Sequence, residues 1–175
     1  MHSPRRGKAG QAMIETVVVM LVLCIVFFLI YEYTGLLTMH SVLDYAAARA
    51  ARARTVGFND FMVTKTVRIS TMSTAGPCKT TDDRGESLST GALVSRMGSY
   101  LQAENDAETS GILDFEYWNG AHLGWNCSGP GGESGELIMR VWQRRPLYVG
   151  DDEYARQYTV NGEARIEGHY PFYLQ

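Results

Sequence analysis

Apolar positions follow one another almost without a break near the start of the chain. Residues 16 to 31 read TVVVMLVLCIVFFLIY, and Ala12, Met13 and Ile14 precede them across a single glutamate, Glu15. The uncharged stretch alone is slightly short for a membrane span of ~20 residues, and reaches that length once Ala12 to Ile14 are included. Beyond Gly35 the run gives way to a periodic pattern. Leu36, Met39, Leu43, Ala46, Ala50 and Ala53 recur in steps of three and four, with Asp44, Arg49 and Arg52 on the opposite side. The stretch AAARAARAR is rich in strong helix formers, and Gly57 suits a helix C-cap. The pattern predicts one long helix from about Gln11 to Val56, roughly 70 Å at about 1.5 Å per residue. Its first half is continuously apolar and its second half amphipathic.

The remaining pattern is mixed. In residues 58–75, Asn59 or Asp60 is a candidate cap for a short helix with Met62, Ile69 and Met72 on one side. The many β-branched residues there also suit a strand, and helix is the preferred reading. GPCKTTDDRGES reads as a loop. Ser89 or Thr90 then caps a helix with an apolar stripe of Leu93, Met97, Tyr100 and Leu101. ILDFEYW and LIMRVWQ read as strands separated by the long loop NGAHLGWNCSGPGGESGE. In RQYTVNGEARIEGHYPFYL, Asn161-Gly162 predicts a tight hairpin turn. The expected fold class is α+β, a long N-terminal transmembrane helix continuing into a small ectodomain with an antiparallel sheet of three or four strands.

Charge sets the orientation. Arg5, Arg6 and Lys8 precede the apolar run, and of the 19 acidic residues only Glu15 lies before residue 32. The positive-inside rule keeps the N-terminus cytoplasmic and sends residues 32 to 175 across the membrane. That translocated part is mildly acidic and offers no electrostatic footprint for nucleic acid. A cleaved secretory signal would have a short apolar core followed by small residues. Here the run continues into YEYTGLLTMHS, so a retained anchor is expected. Three segments follow: a basic leader 1–10, a helix 11–57 (membrane-spanning about 12–31, amphipathic about 36–56) and an ectodomain 58–175.

Glu15 is the informative residue, because a carboxylate inside an apolar helix costs a few kcal/mol or more, depending on depth. The bland explanation is that it reaches water at the interface. The sequence RRGKAGQAMIE, placed directly before the apolar run, resembles instead the processing motif of type IV prepilins. The resemblance implies cleavage after Gly10 by a prepilin peptidase, with Gln11 as the new N-terminus. Glu15 would then be the fifth residue of the mature chain, paired with the freed ammonium of a neighbouring subunit.

GQAMIETVVVMLVL, followed by AAARAARARTVG and FND, is similar to the N-terminal region of TadE-like proteins, minor pilins or pseudopilins of tight-adherence pili. Thr16 stands where an aromatic commonly follows the glutamate in that family. The resemblance, over roughly residues 7 to 60, implies a structural protein of a bacterial inner membrane, single-pass, destined for a surface pilus. Its implied partners are the prepilin peptidase, other pilins and minor pilins, the inner-membrane assembly platform and membrane lipid. The competing expectations are an unprocessed, signal-anchored periplasmic binding or adhesion protein and a type II secretion pseudopilin.

Three cysteines are present. Cys24 sits in the apolar run. Cys78 and Cys127 are a candidate disulfide if their surroundings are oxidising, worth about 4 kcal/mol by loop closure, and are otherwise two free thiols. The histidines His2, His40, His122 and His169 are scattered without metal-ligand spacing, and no nucleophile or phosphate-loop motif occurs. Asp82-Asp83 and Asp151-Asp152-Glu153 lack the spacing of a calcium loop and read as solvated charges. No catalytic site, metal or cofactor is expected. Trp118, Trp125, Trp142 and the C-terminal tyrosines read as core and sheet-face packing rather than an adhesive patch.

Overall fold

The computed structural model of the chain describes residues 7–82, 85, 88–129, 136–146 and 157–167. Four helices come first: α1 (Gly7–Thr55), α2 (Asp60–Ser70), α3 (Thr90–Gln102) and α4 (Asp106–Ile112). Three strands follow: β1 (Leu123–Ser128), β2 (Glu136–Pro146) and β3 (Gln157–Glu167). Short 3-10 turns occupy Met72–Thr74 and Glu116–Trp118. The chain divides into two units, Met1–Thr38 and Met39–Gln175. The expected α+β class is what the structure contains.

In the first unit, every side chain described from Gln11 to Thr38 is exposed. Phe27 and Phe28 are 70% and 71% exposed, values that water does not favour for a run of large apolar groups. An 18-residue window here has a mean hydropathy of 3.0 and none of it is buried within the protein. By length and composition this helix is able to cross a membrane. Its threonine hydroxyls bond within the helix: Thr16 and Thr34 donate to the carbonyls of Ala12 and Ile30 at 2.9 and 2.8 Å. A helix that meets its polar needs internally is the kind that lipid tolerates.

The second unit begins with the C-terminal part of α1. Met39, Leu43, Ala46 and Ala50 are fully buried there and Arg49 and Arg52 remain exposed, as the three-and-four spacing predicts. Ala47 and Ala51 widen the buried face, while Leu36 is exposed and Asp44 is half-buried, against expectation. The helix ends in a Schellman cap. Gly57 adopts φ 93°, its N–H donates to the Arg54 carbonyl at 3.0 Å, and the Phe58 N–H donates to the Ala53 carbonyl at 3.1 Å. The Asn59 carboxamide oxygen then accepts from the Met62 N–H at 2.9 Å and starts α2, so the ambiguous segment is helical. Its buried face differs from expectation: Val63, Lys65 and Val67 point inward, while Met62, Ile69 and Met72 are only half-buried.

Lys65 is the unexpected core residue. Its ammonium donates to the carbonyls of Leu101 and Ala103 at 2.8 and 2.6 Å, satisfying orphan acceptors at the end of α3, and lies 4.9 Å from the Phe61 ring centre. Burial pushes its pKa below the ordinary lysine value, and the Glu108 carboxylate partly offsets this. Between the lowered value and the ordinary one, the unfolded chain binds more protons, so this contribution to stability rises with pH. Lys65→Met is expected to cost about 2 kcal/mol by leaving both carbonyls unpaired. The stability gap between wild type and variant should widen from neutral to alkaline pH in urea titrations, and a gap independent of pH would remove the titration argument.

The sheet is antiparallel in the order β1-β2-β3. Leu137, Met139, Val141 and Gln143 of β2 alternate inward, and Arg140 and Arg144 outward. Fully buried Gln143 exchanges two bonds with Thr74: its Oε1 accepts from the hydroxyl and its Nε2 donates to the carbonyl, both at 2.9 Å. Three sequence expectations change here. ILDFEYW is not a strand, because α4 runs through Ile112 and a 3-10 turn takes up Glu116–Trp118. The long loop after it contains β1, which pairs Gly124 with Trp142 and Cys127 with Met139. Asn161-Gly162 is not a turn: both lie in the middle of β3, opposite Trp142 and Val141.

The reason lies across the core. A Cβ on Gly162 would collide with the backbone of Leu43 and Asp44 in α1. The Asp44 carboxylate accepts from the Glu163 N–H at 3.2 Å at the same crossing. Glycine is needed there for close approach of helix and strand, not for reversal of the chain.

Candidate functional site

Gly10, Gln11 and Glu15, the residues from which processing and assembly are expected, fall within the first turns of α1. Gly10 and Gln11 lie in helical backbone, and Gln11 and Glu15 sit one turn apart on the same side. The Gln11 Nε2 donates to Glu15 Oε1 at 3.3 Å, an exposed and long bond. Glu15 is therefore the one acidic side chain in a surface otherwise built of Met13, Ile14, Val17 and Val18, all more than half exposed. Among the described residues its hydrogen-bond partner is the neutral Gln11 amide, and such a carboxylate is available to a stronger cationic partner. Arg5 and Arg6 of the leader lie outside the described residues.

Cys78 and Cys127 are free thiols in the structure, both half-buried. Cys78 Sγ lies 3.4 Å from the Asp114 carbonyl and 3.5 Å from that of Thr80. Cys127 sits in β1, where burial pushes its thiol pKa up and Arg54 partly counters this. A thiol held in the protonated form is a poor nucleophile and a poor metal ligand. Among the described residues, no group of three or more His, Cys, Asp or Glu side chains is placed to hold a metal ion. Asp83, Asp151, Asp152, Glu153, His2, His169 and the tyrosines after residue 167 lie outside the described residues.

Sequence reasoning did not foresee a convergence in the second unit. The three tryptophans meet around one cavity of about 300 Å³, with Thr64, Val67 and Arg68 of α2, Gly120 of the preceding turn, and Leu123 and Gly124 at the start of β1. Trp118 is core, 2% exposed, whereas Trp125 and Trp142 are half-buried. The Trp125 indole N–H donates to the Thr64 hydroxyl at 3.1 Å. Gly124 has no Cβ because the Trp142 indole lies against it. The signal available in the sequence was the pair of glycines interleaved with the tryptophans, which reads as a loop unless the strand pairing is known.

An exposed apolar helix long enough to cross a membrane, followed by a small α+β domain, suggests a membrane-anchored protein. Residues 10–52 match the family described as TadE-like protein. The matched segment opens at Gly10 and closes within the buried alanine face of α1, so it covers the glycine, the glutamate and the apolar run together. It points to a pilus-associated, structural protein. Comparison with curated proteins and with solved structures returns no match.

Proposed function

We propose that the chain is a minor pilin or pseudopilin, an assembly component of a tight-adherence pilus, cleaved after Gly10 by a prepilin peptidase. The observation that carries this reading is Glu15, a carboxylate five residues beyond Gly10 and directly before the apolar run 16–31, on a helix whose residues 11–38 are exposed and whose residues 10–52 match the TadE-like family. Cleavage would create an ammonium at Gln11. In lipid each charge alone is costly, and the pairing of Glu15 with the Gln11 ammonium of an adjacent subunit would select one axial register between packed helices. The apolar segment from Thr16 to Tyr31 would hold the subunit in the inner membrane before assembly and line the filament interior afterwards. Ectodomain and N-terminus would lie on opposite sides of the membrane, the ectodomain periplasmic.

The decisive measurement is N-terminal peptide mass mapping of membrane-extracted protein from cells with and without the prepilin peptidase. A mature start at Gln11 that disappears without the peptidase is the expected result. An intact Met1 or His2 start under both conditions overturns the proposal and leaves a plain anchored ectodomain.

A further inference from the structure

Gly35 lies in the interior of α1, at a place where the fold makes no demand for a glycine. Its φ is not in the left-handed region, and a Cβ built on it would meet no atom within 4 Å. Neither a turn nor a close approach accounts for it. In a helix interior glycine is weaker than every residue except proline, because it gives up the most backbone freedom. Threonines stand on both sides. The Thr34 hydroxyl donates to the Ile30 carbonyl at 2.8 Å, and the Thr38 hydroxyl donates to the Thr34 carbonyl at 2.9 Å. A hydroxyl bonded back by one turn competes with the backbone N–H for the same carbonyl, and such residues bend helices. It also keeps that carbonyl paired when the backbone bond opens. Every residue from 31 to 38 is exposed, so packing within the protein adds little to the helix here. From Met39 onward the buried face of α1 fixes it, and the division between the two units falls at the same point.

From this we infer that α1 carries a hinge at Thr34, Gly35 and Thr38, between its apolar segment and the folded domain. The position suits the chemistry of bending. Tyr31 and Tyr33 are 76% and 63% exposed, and aromatic residues at the end of an apolar run mark the boundary between lipid and water. Gly35 lies just past them, where water can pair the backbone groups that a bend exposes. Within lipid the same opening would leave those groups unpaired. The run from Thr16 to Ile30 contains neither glycine nor proline, so the bend is confined to one point outside it. One helix tethers the domain, and the hinge lets the domain turn toward a neighbouring protein without tilting the span through the bilayer. The inference needs only a membrane-crossing helix and holds whether or not the chain is cleaved after Gly10.

The test is a distance measurement between two spin labels on the full chain in phosphatidylcholine nanodiscs. One label sits on Cys24 and the other on Arg52→Cys, both exposed positions of α1. Cys78 and Cys127 are replaced by serine or by alanine, whichever leaves thermal unfolding unchanged. A straight helix places the labelled residues about 42 Å apart at about 1.5 Å per residue. A control pair at Leu37→Cys and Arg52→Cys, with Cys24 also replaced, lies wholly beyond the glycine and spans about 22 Å. The pair across Gly35 should give a distribution at least about twice as wide as the control and extending to shorter distances. Gly35→Ala has open space for its methyl group, so it keeps the fold. It should reduce the bent population about fivefold, the ratio that one glycine-to-alanine exchange carries in a helix interior, and narrow the distribution to the control width. A wild-type distribution as narrow as the control overturns the inference. So does a wide one that Gly35→Ala leaves unchanged, because the bend would then lie elsewhere in α1.

Discussion

Replacing Gly10 by phenylalanine is expected to leave the chain at full length in cells that contain the prepilin peptidase, while wild type is shortened to a Gln11 start. The proposed cleavage follows a residue with no side chain, and a bulky ring there would prevent the backbone from entering a peptidase site. Glu15→Ala should behave differently. Cleavage proceeds, because the glycine is intact, but incorporation into filaments falls about tenfold or more through loss of the charge pair. Glu15→Gln should match Glu15→Ala, since it keeps the shape and removes the charge. The readouts are N-terminal mass mapping and the sheared-filament fraction from the same cultures. A Gly10→Phe chain shortened like wild type would place the cut elsewhere. Normal incorporation of Glu15→Ala would sink the pairing argument and leave processing untouched.

The largest effect on stability is expected at Gly162, in the middle of β3. Its missing Cβ is what lets β3 lie against the backbone of α1 at Leu43 and Asp44. Helix backbone cannot rotate out of the way as the tip of a side chain can, so the added methyl of Gly162→Ala must push the whole crossing apart. Overpacking of this kind costs about 3 kcal/mol, or more where backbone meets backbone. The shift would also lengthen the 3.2 Å bond from the Glu163 N–H to Asp44. A fall in Tm of about 10 °C is expected for a unit of this size. Asn161→Ala, one residue earlier and exposed, should stay within about 0.5 kcal/mol of wild type. If Gly162→Ala unfolds at the wild-type temperature, β3 does not cross α1 at this point.

The same glycine shows why reading the sequence succeeded in one half of the chain and failed in parts of the other. Asn161-Gly162 between alternating residues is a strong local sign of a hairpin, yet the structure uses the glycine for a contact with a residue more than a hundred positions earlier. A single residue type serves two different needs, turning and close approach, and the local pattern does not separate them. β1 was hidden for a related reason: LGWNCS contains a glycine and sits among loop formers, and it becomes a strand through its pairing with β2. ILDFEYW errs in the other direction. Its apolar and aromatic content suits a strand, but Leu113, Phe115, Tyr117 and Trp118 are buried from a helix end and a 3-10 turn.

What the sequence determined by itself is the long N-terminal helix, its apolar first part, its buried alanine face and its glycine stop, together with Gly10 and Glu15 as the residues to examine. These rest on interactions within a few positions along one helix, where period, composition and capping carry the whole physical argument. Only the tertiary structure decided the places where distant segments meet: Lys65 capping α3, Gly162 beneath α1, Gln143 exchanging bonds with Thr74, and three tryptophans closing on one cavity. Each of these depends on which strand pairs with which and in what register. A shift of a single residue would turn every side chain of the strand to the other face.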